Sequence, residues 1–170
     1  MSKIAIDTNV FLHLTNPQEN PDSHIEQLLI HLAKLNYKLC IDSTKKISNE
    51  YEEKLVPMIR NANEIGFVSY LLKLWLNTDI RIEVELDADD QLMRKIREVI
   101  REIDEHADRA FVYVACRGDC YLITNDVIHI IGRRRDLRSE TRRLRGQTTD
   151  FIKSSTAVQL LVAPTLNQNA

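Results

Sequence analysis

Short apolar runs alternate along this chain with amphipathic stretches of helical length, and that order restricts the fold more than any other feature. Residues 3–7, 38–42 and 121–124 read as continuous apolar strands, while Ile80, Ile82 and Val84 alternate with charged neighbours as a half-exposed one. Between them lie helical patterns. Thr8 to about Thr15 is short, and Asn16-Pro17 ends it. Asp22 or Ser23 caps a helix through about Asn36, with Ile25, Leu28, Leu29, Leu32 and Leu35 on its apolar face. Ser43 or Thr44 is expected to cap the next, which carries Ile47, Tyr51, Leu55 and Met58. Asn61 to about Asn77, Ala88 to Ile103, and His106 to Arg117 complete the helical set, and a last strand is expected at Val158 to Val162, before Pro164. Strands joined through helices pair largely in parallel, in a sheet covered on both faces. The expected fold class is therefore α/β.

At 170 residues the chain is most economically one domain, 1–170, large enough to bury a substantial core. It lacks the apolar h-region and cleavage site of a signal peptide, and no run approaches the ~18 apolar residues of a membrane span, so a cytosolic protein with no membrane segment is expected. Three cysteines, Cys40, Cys116 and Cys120, complete no zinc pattern and read as reduced thiols.

The net charge of -2 conceals an asymmetry. From Asp79 to Asp108 eleven acids face five Arg and Lys, a balance of -6; from Arg133 to Arg145 seven arginines face Asp136 and Glu140, a balance of +5. An acidic zone beside a basic segment suits a metal site next to a polyanion groove. Solvated helix faces salt-bridged to an Arg-rich insert at about 133–145 would account for the same charges.

Four acids fall where elements begin or end: Asp7 after the first strand, Glu50 on the third helix, Asp108 opening a helix, and Asp126 after Tyr121-Leu122-Ile123-Thr124-Asn125. In an open parallel sheet, strand ends of one polarity share an edge where ligands gather. Carboxylates brought together there suit Mg²⁺ or Mn²⁺, which prefer oxygen ligands and serve phosphodiester chemistry. Each acid also has a plainer reading. Asp7 fits a helix cap, Asp126 an Asx turn, and Glu50 a solvated run with Glu52 and Glu53. Asp104, one turn before Asp108, is a solvated acid or a reserve ligand. His106 and His129 read as bystanders near the acids.

Taken in order, Ile6-Asp7-Thr8-Asn9-Val10, Glu50-Tyr51, Asp108 with Ala115, and Thr124-Asn125-Asp126 resemble the PIN domain family of metal-dependent ribonucleases over most of the chain. The resemblance implies a three-layer α/β/α sandwich with a mostly parallel central sheet, cleaving single-stranded RNA with Mg²⁺ or Mn²⁺. It implies that Asp7, Glu50, Asp108 and Asp126 hold metal and orient the attacking water. Thr8 and Asn9 would steady Asp7 and the water shell, and Asn125 would do likewise beside Asp126. Many members carry a further acid two residues after the position of Asp126; here that place is Ile128, followed by His129, so a second metal is expected to be weakly held or absent.

Arg133, Arg134, Arg135, Arg138, Arg142 and Arg143 could contact RNA phosphates, or equally grip an acidic partner. The expected activity is that of a metal-dependent endoribonuclease. It would be either a toxin-type enzyme restrained by an antitoxin-like inhibitory protein or an RNA-processing enzyme. The competing reading is a PIN-like module that binds protein or RNA without cleaving it. A haloacid-dehalogenase-type phosphatase would need a second Asp where Asn9 stands. An apolar patch around Phe67, Tyr70 and Trp75 makes a homodimer plausible.

Overall fold

A computed structural model describes residues 3–15, 24–35, 37–61, 81–101, 106–146 and 149–162. The strands are β1 (Lys3–Ile6), β2 (Lys38–Asp42), β3 (Arg81–Val84), β4 (Tyr121–Ile123) and β5 (Phe151–Ile152). They form one sheet in the order β3-β2-β1-β4-β5 with every pairing parallel. The helices are α1 (Thr8–Leu12, continued by a 3₁₀ turn His13–Thr15), α2 (His24–Lys34) and α3 (Lys46–Asn61). Then come α4 (Gln91–Val99), α5 (His106–Gly118), α6 (Arg134–Arg145) and α7 (Ser154–Ala157). A π-helical turn, Val127–Ile131, follows β4.

The central strand shows that both faces of the sheet are covered. Successive strand residues point to opposite faces, yet Ile4, Ala5 and Ile6 are all fully buried. This is the continuous apolar run of a parallel strand packed on both sides, and the α/β fold expected from the sequence is the one observed. The register β1 to β4 pairs Ile6 with Ile123. One residue further, Asp7 and Thr124 therefore leave the same sheet edge side by side, with the Asp7 amide still donating to the Ile123 carbonyl at 2.9 Å.

Beneath that edge, Tyr51 of α3 stacks edge-on against Phe11 (ring centroids 5.6 Å apart) and tilts against Phe111 of α5 at 5.9 Å. Its buried hydroxyl donates to the carbonyl of Ile6. Aromatic pairs of this kind contribute roughly 0.5–1.5 kcal/mol each beyond their buried area. They lock α1, α3 and α5 to the end of β1, and so fix where Glu50 and Asp108 stand.

Several boundaries differ from expectation. Val158–Val162 is helical, running on from α7, and the last strand is the two-residue Phe151–Ile152. A short continuous apolar run carries no period that separates strand from buried helix. The third helix is capped by Asp42, whose carboxylate accepts from the amides of Lys46 (2.9 Å) and Ile47 (2.8 Å), rather than by Ser43 or Thr44. The amphipathic Ala88–Ile103 pattern yields a helix only over Gln91–Val99. Asp90 caps it through the Leu92 amide at 2.9 Å, and Ile100 is already extended. The Arg-rich segment is no loop: it is α6, with Leu137 and Thr141 buried. Asn61, where a new helix is expected, instead ends α3; the rest of that helix to Asn77, the patch around Phe67, Tyr70 and Trp75, and Asp104 lie outside the described residues, as does the His106 side chain. Among the described residues no helix is long and apolar enough to cross a membrane.

Candidate metal centre

Asp7 is the pivot of the site. Its carboxylate is almost wholly buried, and it accepts three hydrogen bonds: from the Asn9 amide (3.1 Å), Asn9 Nδ2 (2.8 Å) and Thr124 Oγ1 (2.6 Å). It does cap α1, as its plainer reading held. Burial nevertheless pushes its pKa from 3.8 up to about 6, against the lowering pull of Thr124 and Asn9, and the charges of Glu50 and Asp126 push the same way.

Asp126 is held by backbone. Its Oδ1 accepts from the amides of Ile128 and His129, both at 2.8 Å, closing the Asx turn that starts the π-helical segment. The same Thr124 hydroxyl that donates to Asp7 accepts the Asp126 amide at 3.0 Å. The other carboxylate oxygen, Oδ2, faces His129 Nδ1 at 3.0 Å, and Asp108 Oδ2 lies 3.6 Å from that nitrogen. One ligand atom from each of Asp108, Asp126 and His129 lies within 4.8 Å of the others.

Glu50, nine-tenths buried on α3, splits its carboxylate between two fates. Oε1 receives Lys54 Nζ at 3.1 Å, whereas buried Oε2 has no hydrogen-bond partner among the described residues. A buried carboxylate oxygen left so is costly unless a cation or water takes it. Partial burial of the Lys54 ammonium works to lower its pKa, yet the bond to Glu50 and the charges of Glu50, Asp108 and Asp7 raise it. The structure brings the four acids together unevenly: Asp108 and Asp126 meet at His129, Asp7 is tied to Asp126 through the Thr124 hydroxyl, and Glu50 acts on Asp7 only through its charge. The donor set is oxygen-rich and its negative charge incompletely compensated, which fits a hard divalent cation.

The supporting residues sort unevenly. Asn9 bonds Asp7 twice and receives the Asn125 amide on Oδ1 at 2.9 Å. The Asn125 side chain turns away from Asp126: Oδ1 accepts from the amide and hydroxyl of Ser154 (3.1 and 2.9 Å), and Nδ2 meets His13 Nδ1 at 3.3 Å. The Thr8 hydroxyl is buried with no hydrogen-bond partner among the described residues, so it does not bond Asp7. Sequence reasoning assigned no role to Thr124, Lys54 or Ser154 and set His129 aside. The first lay in the quoted Thr124-Asn125-Asp126 run; the second is one helical turn beyond Glu50.

The arginines divide along α6. Arg133 Nη1 donates to the Val99 carbonyl at 2.9 Å, Arg138 pairs with Asp150 at 2.6 Å, and Arg143 with Glu140 at 2.7 Å. Arg134, Arg135 and Arg142 are exposed. Arg135, Arg138, Arg142 and Arg143 line a shallow depression together with Ser139.

No protein-family model matches the chain, and no curated protein matches it. A crystal structure of VapBC2 from Rickettsia felis, bound to a DNA fragment from their promoter, matches with a TM-score of 0.42 and 16% identity, covering 89% of this chain and 98% of that one. A likeness that distant brings neither activity nor residue roles to this chain. The parallel α/β sheet and the acidic edge described above stand on their own geometry.

Proposed function

We propose that this protein is a metal-dependent endoribonuclease that cleaves single-stranded RNA, with Mg²⁺ or Mn²⁺ held by Asp7, Glu50, Asp108 and Asp126. The observation that carries the reading is the group of Asp108, Asp126 and His129, whose ligand atoms lie within 4.8 Å of one another, beside Asp7, which Thr124 ties to Asp126, with one buried Glu50 oxygen lacking a hydrogen-bond partner among the described residues. When bound, a divalent cation supplies charge neutralisation at the phosphate and the means of ionising water at neutral pH.

The chain's own residues do the rest. Asp7 and Asp126 are fixed relative to one another by the Thr124 hydroxyl, so their separation is set before substrate arrives. Asn9 holds Asp7 in one rotamer and keeps its second oxygen shared with Thr124. Asp108 and Glu50 would add their carboxylates from two helices, α5 and α3. The exposed arginines of α6 offer phosphate contacts that track a strand without reading its bases. A toxin-type enzyme with an antitoxin-like inhibitor and an RNA-processing enzyme would use the same centre.

The test is incubation of purified protein with mixed-sequence single-stranded RNA in Mg²⁺, Mn²⁺ or EDTA, beside Asp7→Asn and Asp126→Asn. Metal-dependent cleavage lost in both variants supports the nuclease. RNA or partner binding without cleavage under any metal moves the assignment to a non-cleaving interaction module.

A further inference from the structure

The acids leave one residue of the site unexplained. His129 projects its ring between two proposed ligands, although the sequence offers no metal-ligand spacing around it. Its place is built by backbone. The Asp126 carboxylate draws in the amides of Ile128 and His129, and the π-helical turn closes through Ile131 N to the Asp126 carbonyl and Gly132 N to the Val127 carbonyl, both at 2.9 Å. A Cβ at Gly132 would lie 2.7 Å from the Val127 oxygen, so a side chain there is incompatible with this turn. Ile128 is 71% exposed, whereas the turn presents His129 to the acids.

We propose that His129 is a nitrogen ligand, with Asp108 and Asp126, for a divalent cation, and that its imidazole makes this position prefer first-row transition cations to Mg²⁺. The proposal rests on the metal-dependent reading above. Ligand bonds of roughly 2.0–2.2 Å put ligand atoms up to about 4.4 Å apart across one ion. The three donor atoms here lie within 4.8 Å of one another, so small side-chain rotations close the site. A second observation points to a cation at this edge: Glu50, nine-tenths buried, gives Oε1 to Lys54 but leaves buried Oε2 without a hydrogen-bond partner among the described residues. Mg²⁺ takes oxygen ligands and keeps its waters, whereas imidazole suits the later divalent metals, whose affinities rise from Mn²⁺ through Co²⁺.

The experiment is calorimetric titration of Mg²⁺, Mn²⁺ and Co²⁺ into the intact protein, His129→Ala and His129→Asp, with pulsed electron paramagnetic resonance of Mn²⁺ on the unmutated chain. The expected result is a nitrogen coupling to bound Mn²⁺, and a loss of Co²⁺ affinity in His129→Ala of at least about tenfold, the lower end of what even an outer-shell partner costs. Mg²⁺ affinity should change less, and His129→Asp should shift the preference back toward Mg²⁺. Binding with no nitrogen coupling, and the same Co²⁺-to-Mg²⁺ ratio in all three proteins, overturns the ligand assignment and leaves the nuclease reading intact. Absence of binding by any of the three cations overturns both. The spectroscopic measurement needs no variant and so holds even if a substitution disturbs folding.

Discussion

The Thr124 hydroxyl reaches across 117 positions of sequence to donate to Asp7 Oδ2 at 2.6 Å, and the same oxygen accepts the amide of Asp126. One buried hydroxyl thus ties the end of the first strand to the end of the fourth. Replacing it with Val keeps shape but removes the acceptor of the Asp126 amide and one of the three bonds to Asp7, which costs about 1–3 kcal/mol for a buried group left unsatisfied. Thr124→Val should lower the melting temperature and reduce cleavage together, whereas Thr124→Ser should restore most of both. Unfolding curves and a cleavage assay on the two variants check this.

Asp7 makes stability depend on pH in a direction opposite to that of most carboxylates. Its pKa is raised from 3.8 to about 6 in the folded chain. Between those values the native state binds more protons than the unfolded one, so stability falls as pH rises through that window and levels off above it. The magnitude is about 3 kcal/mol. Asp7→Asn should flatten this slope while abolishing cleavage. Urea denaturation from pH 4 to pH 8 with EDTA measures it, and an unchanged slope in the variant would remove Asp7 as its source.

Asp126→Asn separates structure from chemistry at the other strand end. Asn is as good a cap as Asp, so the bonds from the Ile128 and His129 amides survive the change. The melting temperature should move little while cleavage drops at least about 100-fold, the scale of losing one electrostatic stabiliser of a transition state. Parallel loss of folded structure would instead make Asp126 a turn residue.

Lys54 competes with the cation. Its ammonium sits on Glu50 and feels Asp108 and Asp7. At half exposure such a pair is worth about 0.2–1 kcal/mol. Lys54→Met should therefore tighten Mn²⁺ binding by up to about fivefold and destabilise the metal-free protein slightly. Weaker Mn²⁺ binding in the variant would contradict the competition.

The arginine helix makes a prediction about salt. If Arg135 and Arg142 contact phosphates, each replacement by Gln should weaken single-stranded RNA binding alike across sequences and flatten the log–log salt slope by about 0.7. Fluorescence anisotropy with catalytically inactive Asp126→Asn, over a range of KCl, reads this directly. An unaltered slope would place the RNA elsewhere and leave α6 to a protein partner.

The parts legible in sequence were those with a period or a composition to read. Ile4-Ala5-Ile6, Leu39-Cys40-Ile41 and Leu122-Ile123 announce strands because burial on both faces demands unbroken apolar runs. Phe151–Ile152 was missed because two residues carry no pattern, and Val158–Val162 was mistaken for a strand because its apolar run had the wrong backbone. The π-helical turn after Asp126 has no periodic signature, so the sequence puts His129 near the acids but gives no sign that its ring meets two of them. Thr124 and Ser154 act through bonds to residues 117 and 29 positions away, a separation that only the folded register brings to zero.

That separation has a consequence for the order in which the protein becomes competent. Asp7 is made before its companion hydroxyl and Asp126, which follow more than a hundred positions later. The anchor of Asn125 on Ser154 comes later still. Domains fold as units during synthesis, N-terminal parts first, and a nascent chain here would carry a split centre for as long as the stretch between β1 and β4 is being made. With β1 beside β4 in the order β3-β2-β1-β4-β5, the acidic edge is complete only after β4 and the turn that follows it have been made.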